Sequence, residues 1–192
     1  MDSKVNESQN KGLQDLGITP TNHERKLGTN DFIVSKTDTS GRITYSNRIF
    51  MKICGFSESD LLGVQHNIIR HPDMPRGVFR FMWDTLKSGE EFFGFAKNLC
   101  SDGSFYWVFV NITPDYDKEG KLKGYYSVRR NPPESAIKIL TPIYKEMLAI
   151  ERQSSTKEAP SKSLAYLVDT VNSTGAANYN NFVLNLYKPN GL

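Results

Sequence analysis

The sequence is short of the residues that mark most specialised chemistries. Cysteine is scarce: Cys54 and Cys100 are the only two, and they form no CxxC pair. A disulfide framework is not expected, and a reduced, cytosolic compartment fits best. Histidine occurs three times, as His23, His66 and His71, without close-spaced carboxylates on one element, so the pattern of a metal site is missing. Charge excess is small too. The formal net charge is +3 with no long Lys/Arg block, which leaves no footprint for nucleic acid. No run approaches the ~20 apolar residues of a membrane span, and the N-terminus lacks a charged-then-apolar leader. The chain therefore reads as soluble, able to work beside a membrane only through a partner. No nucleophile elbow, GxxxxGK[ST] loop, kinase signature or cyclase signature is present, so nothing marks an enzyme.

What is present suffices for one domain with extensions, at 192 residues with 38% hydrophobic and 11% aromatic content. Residues 1–30 are polar and weakly periodic, and are expected to form a mobile arm with a short helix around Leu13 and Leu16. Ordered structure should begin at Asp31. Residues 32–37 and 42–46 read as a hairpin across the turn Asp38-Thr39-Ser40-Gly41. Asn47 opens an amphipathic helix that Gly55 stops, and Ser57-Glu58-Ser59-Asp60 opens another in a capping pattern. After Pro75, the residues Val78, Phe79, Met82, Trp83 and Leu86 share one face of a helix. Strands follow over 91–99, 104–115 and 122–130, the second with Tyr106, Val108, Val110 and Ile112 on one face and Phe105, Trp107 and Phe109 on the other. This order predicts an α+β fold: a five-stranded antiparallel sheet with short helices packed on one face. Such a cup can hold a small molecule. Cys54 belongs to the core, and Cys100, beside a hairpin turn, is expected at the surface.

The densest cluster of binding groups is Ile68-Ile69-Arg70-His71-Pro72-Asp73-Met74-Pro75. Arg70 carries a fixed fork of donors, His71 a ring that donates or accepts, and Asp73 an acceptor. The two prolines stiffen the segment and feed it into the helix. A ligand clamp and a braced turn both fit these residues.

Asp38-x-x-Gly41-x-Ile43-x-Tyr45-x-Asn47-x-x-Phe50, Gly55-Phe56 and the hairpin ending in Tyr106-Trp107 resemble a PAS domain. His66-Asn67-Ile68-Ile69-Arg70-His71-Pro72-Asp73-Met74-Pro75, with Met82-Trp83, Lys97-Asn98 and Gly124-Tyr125, is similar to the PAS domain of bacterial aerotaxis (energy-taxis) receptors. The resemblance covers residues 31–150 and implies FAD, whose redox state is passed to a chemotaxis signalling protein. It implies that Arg70, His71 and Asp73 lie on the cofactor side and that the Asn98 amide faces the pyrimidine edge of the ring. Asn47 is either a ligand-side amide or an N-cap. Trp83 either packs in the core or stacks on flavin or adenine. Phe92 falls where some members carry Trp, so stacking is kept while an N–H donor is lost. Light-sensing flavin relatives carry a reactive cysteine where this chain has His66 to Arg70, so a cysteine adduct is not expected. Haem held by His66 or His71 is the alternative cofactor, and a cofactor-free dimerisation or adaptor module the alternative without one.

The implied layout is an arm over 1–30, a PAS sensor over 31–131, a C-terminal signalling helix over 132–152 and a linker and tail over 153–192. Pro142 is expected to kink or restart the signalling helix. Within the tail only Leu164 to Val171 is amphipathic. The expected partners are a methyl-accepting transducer or another signalling protein and a second copy of the chain. Family members lead from this helix toward a membrane anchor. Here the polar run after it suggests either a stand-alone sensor or part of a longer chain.

Overall fold

Short runs rich in β-branched and aromatic residues become strands, and the turns between them set the pairing. The computed structural model describes residues 17–188, so the helix expected around Leu13 and Leu16 lies outside that range. Strands β1 (Ile33–Asp38) and β2 (Ile43–Ser46) pair antiparallel. Asp38 builds the turn between them: its carboxylate accepts from Ser40 N at 2.8 Å and Arg42 N at 2.9 Å, while Gly41 takes the left-handed position at φ 85°. Helix α1 (Arg48–Cys54) is capped by Asn47 and stopped by Gly55, and helix α2 (Glu58–Leu61) carries the Ser57/Asp60 capping box. A 3-10 turn, His66–Ile69, leads through Arg70 to Pro75 into helix α3 (Arg76–Lys87). Strands β3 (Phe92–Leu99), β4 (Phe105–Tyr116) and β5 (Leu122–Arg130) complete the sheet.

The strand order is β2-β1-β5-β4-β3, antiparallel throughout. This is the five-stranded α+β sheet that the pattern predicts. The register places Ser35 opposite Ser127 and Asn98 opposite Tyr106. One core cluster joins the hairpin to α1 and α2 through Ile33, Ile43, Phe50 and Leu61. A second joins α3 and the far strands to three C-terminal helices. These are α4 (Glu134–Arg152), α5 (Ala159–Ser173) and α6 (Tyr179–Tyr187).

Four expectations change. Residues 21–25, read as part of a mobile arm, are tied to the β3–β4 hairpin: Thr21 N donates to Gly103 O at 2.8 Å and Arg25 N to Phe105 O at 2.7 Å. Arg25 also pairs with Asp102 at 2.6 Å. That cover, and the bond from its thiol to Ile53 O at 3.2 Å, buries Cys100 completely, where a surface position was expected. Residues read as linker and tail form α5 and α6, which bury Leu167, Val171, Phe182 and Val183. Helix α4 runs through Pro142 as one element, with no restart. Among the described residues, no helix is long and apolar enough to cross a membrane.

Helices α4 to α6 wrap the free edge of β3. Tyr144 of α4 donates its hydroxyl to Phe95 O at 2.9 Å, which satisfies an edge carbonyl that no sixth strand reaches. Its ring stacks on Trp107, and Tyr187 of α6 stacks on Phe109 at 4.0 Å. The aromatic face of β4 is therefore partly covered by the chain's own helices.

Candidate functional site

Between the inner face of the sheet and the Gln65–Arg70 and α3 segments lies a cavity of about 290 Å³, close to the lower end of the ~300–1,000 Å³ usual for ligand pockets. Its walls are apolar, supplied by Ile69, Val78, Met82, Phe92, Val110 and Ile112. Exposed Asn67, with half-buried Gln65 and Trp83, marks its opening. The polar groups gather on the sheet side, where strand alternation turns Ser35, Asn98, Ser127 and Arg129 inward.

Arg129 is the dominant charge. It is 5% exposed, yet among the described residues no carboxylate lies within ion-pair distance. Its guanidinium donates to Ser35 Oγ at 3.1 Å and to His66 Nε2 at 2.7 Å, and it lies over the Phe50 ring. Arginine can only donate, so Nε2 of His66 is the acceptor and Nδ1 carries the ring proton. Burial pushes Arg129 down to about 10, so it remains charged at neutral pH. Burial, with Arg129 beside it, drives His66 well below its usual range and keeps it neutral. A buried cation without an anion is costly unless a ligand completes it.

Asn98 and Ser127 supply unspent hydrogen-bonding capacity. The Ser127 hydroxyl is buried without a protein partner among the described residues, and the Asn98 amide nitrogen, likewise buried, faces the Tyr106 hydroxyl opposite it. Buried polar atoms are normally satisfied, so Asn98 and Ser127, both lining the cavity, leave hydrogen-bonding capacity there for a polar edge. Flat apolar walls, an amide, a hydroxyl and a buried guanidinium suit a heteroaromatic ring with an electron-rich edge.

The other expected site residues divide. Arg70 lines the cavity, donates to Met74 O at 2.8 Å and sits over the Phe79 ring at 4.4 Å. Trp83 and Phe92 line it too, Trp83 edge-on to Tyr125 at 5.3 Å. His71, Asp73 and Asn47 do not. His71 is 3% exposed on the other side of the segment, against Phe105, where its Nδ1 accepts from Asp73 N at 3.0 Å. Asp73 is turned outward to Lys97 at 2.7 Å. Asn47 is spent on structure: its Oδ1 also accepts from Val34 N at 3.1 Å and its Nδ2 donates to Phe32 O at 2.8 Å, tying α1 to β1. Proline-fixed geometry explains the split of the 70–73 run, because extended backbone sends neighbouring side chains to opposite sides. Haem fits poorly: the Nε2 lone pair of His66 is taken by Arg129, and His71 is not at the cavity.

Sequence reasoning missed Arg129, Ser35 and Ser127, and weighed His66 only as an iron ligand. The signal was Tyr125-x-Ser127-x-Arg129, an inward-facing arginine on the sheet's central strand.

Comparisons with known proteins agree with this geometry. Residues 43–129 match a family model described as the PAS fold. The Escherichia coli K12 aerotaxis receptor is 38% identical over 129 residues, covering 67% of this chain and 25% of that receptor. A nitrogen fixation regulatory protein of Klebsiella pneumoniae is 32% identical over 98 residues, covering 51% of this chain and 20% of the regulator. The chain thus spans a quarter or less of the length of these relatives. Among solved structures, a light-oxygen-voltage domain studied with a flavin analogue shares the fold at TM-score 0.51 and 22% identity, over 60% of this chain and 86% of that one. On sheet order, matched residues and likeness together, the chain belongs to the PAS-fold family, as a domain of the aerotaxis-receptor type.

Proposed function

We propose that this domain is a redox sensor that binds FAD in the cavity and passes the cofactor's state to a chemotaxis signalling partner. One observation carries the reading: a buried guanidinium with no carboxylate at ion-pair distance among the described residues, beside Asn98 and Ser127, in a largely apolar slot. The flavin ring would occupy the slot, with the remainder of the dinucleotide toward the opening. Arg129 would stabilise negative charge at the ring's polar edge, since among the described residues no carboxylate pairs with it. Asn98 would offer either a donor or an acceptor by rotating its amide. Ser127 would add a further bond. Trp83 and Phe92 would bound the ring, and Arg70, the cation of the 70–75 segment, would serve the phosphates. Bound FAD supplies reversible uptake of electrons and protons, which changes the charge and hydrogen bonding presented to these residues. A sensor needs such differential contacts and no substrate channel. It would act in the cytoplasm, as a homodimer, on a methyl-accepting transducer or another signalling protein.

The test is a visible spectrum of the protein purified without added cofactor, followed by heat release and identification of the chromophore. Flavin bands and free FAD are expected. A colourless protein, or a haem spectrum, contradicts the reading.

A further inference from the structure

The two cysteines play no part in the cavity: neither lines it, and both are fully buried as free thiols. They are distant in sequence, Cys54 at the end of α1 and Cys100 just past β3, and adjacent in space. Three hydrogen bonds join their surroundings. Ser101 N donates to Cys54 O at 2.8 Å, Ser101 Oγ to Gly55 O at 2.8 Å, and the Cys100 thiol to Ile53 O at 3.2 Å. Gly55, left-handed at φ 73°, permits the approach, since a Cβ there would lie 2.5 Å from Ser101 Oγ. Through the first of these bonds, standard backbone lengths hold the two Cα atoms within about 7.5 Å, close to the about 4.4–6.8 Å of a disulfide. Cys100 is near enough to Cys54 to oppose its ionisation.

The corner is closed by the segment 21–25. The Arg25 guanidinium donates to Ile53 O at 3.0 Å, the same oxygen that the Cys100 thiol reaches, so it plugs the site from outside. The segment is tied to the hairpin through Thr21 N and Arg25 N, and through the pair of Arg25 with the exposed Asp102. Burial under this cover pushes Cys54 up to about 11 and raises Cys100 as well, so the closed pair is protonated and inert. Exposed ion pairs hold weakly, and a strap with few anchors opens locally while the core stays folded. Opening returns both thiols to solvent and to their ordinary ionisation.

We propose that Cys54 and Cys100 form a reversible disulfide site, oxidised by peroxide when residues 21–25 lift, which gives the chain a second redox-responsive centre apart from the cavity. The site stands whatever the cavity holds. With the strap lifted, the Cys100 thiolate attacks a peroxide oxygen, the O–O bond breaks, and a sulfenic acid forms as hydroxide departs and takes up the thiol's proton. The Cys54 sulfur then attacks Cys100 Sγ, the S–O bond breaks, and the oxygen leaves as water with the Cys54 proton. Two thiols and one peroxide become one disulfide and two waters. Two equivalents of a small thiol reverse it by exchange, leaving as their own disulfide. A transient bridge of this kind is compatible with a reducing compartment.

Peptide mass mapping of the full chain tests this, after hydrogen peroxide treatment of the folded protein and alkylation of the remaining thiols in denaturant. A cross-linked pair of peptides carrying Cys54 and Cys100, lost on treatment with dithiothreitol, is expected. Two alkylated thiols, sulfinic acid at either position, or links only between separate chains overturn the site. Cys54→Ser blocks the second step, so Cys100 should stop as a sulfenic acid that dimedone captures, and absence of capture overturns the assigned order. Asp102→Asn keeps an acceptor for Ser104 N but removes the charge that holds Arg25. Bridge formation should then quicken by about two- to fivefold, the worth of an exposed ion pair, and an unchanged rate overturns the role of the strap.

Discussion

Arg129 separates the requirements of folding from those of binding. A buried guanidinium with only Ser35 and neutral His66 as acceptors is a poor stabiliser of the empty protein. Arg129→Met should leave the unliganded fold as stable, or more stable by about 1–4 kcal/mol, as buried-charge replacements often do. Urea midpoints of the apo protein check this, and a large loss of stability would show that the arginine is structural. The place of Asn98 on the cavity wall was legible from sequence because its neighbourhood matches a known family. Arg129 was not, because an arginine near a strand end reads by default as a solvated surface residue. His71 was legible as a special residue but in the wrong role. Burial, aided by Lys97, pushes it down to about 4 although Asp73 opposes the shift. Between that value and its ordinary 6.5, the unfolded chain takes up a proton that the folded chain refuses. Stability contributed by His71 is therefore full above pH 6.5 and is lost as pH falls toward about 4. His66, shifted the same way, adds to the slope. Denaturation midpoints should fall on acidification through that window, and His71→Gln should flatten the fall. Identical pH profiles for the two proteins would contradict this.

At the scale of elements, caps and turns could be read directly. Asn47, Ser57 with Asp60, Gly41 and Gly55 all act where their chemistry places them. Helix α5 could not, because its buried face at 159, 163, 167 and 171 begins with Ala and Ser. Small residues there allow close packing on α3 but add nothing to the amphipathic pattern of Leu164 to Val171, so the first turn of α5 reads as part of the polar linker. Gly77 belongs to the same contact. In an isolated helix Gly→Ala would stabilise by about 1 kcal/mol. Here the added methyl meets α5, and Gly77→Ala should instead destabilise by about 1–3 kcal/mol through overpacking. Thermal unfolding gives the sign, and a gain in stability would mean that α5 does not sit against α3.

For the whole molecule, α+β alternation, hairpin turns and strand parity were enough to predict the five-stranded sheet and its cup. The wrap of α4–α6 around the β3 edge was not legible, since it depends on tertiary contacts such as Tyr144 with Phe95 O and Tyr187 with Phe109. The same arrangement joins α3, the far strands and α4–α6 in one core cluster, with the cavity on its inner side. The most direct measurement is therefore the FAD dissociation constant of the apo protein and its variants, followed by quenching of flavin fluorescence. Arg129→Met and Asn98→Ala should each weaken binding by about tenfold or more, the loss of one good hydrogen bond to a buried polar or charged edge, while Tyr45→Ser on the exposed face should leave it unchanged. Wild-type affinity in both cavity variants would place the cofactor somewhere other than this slot.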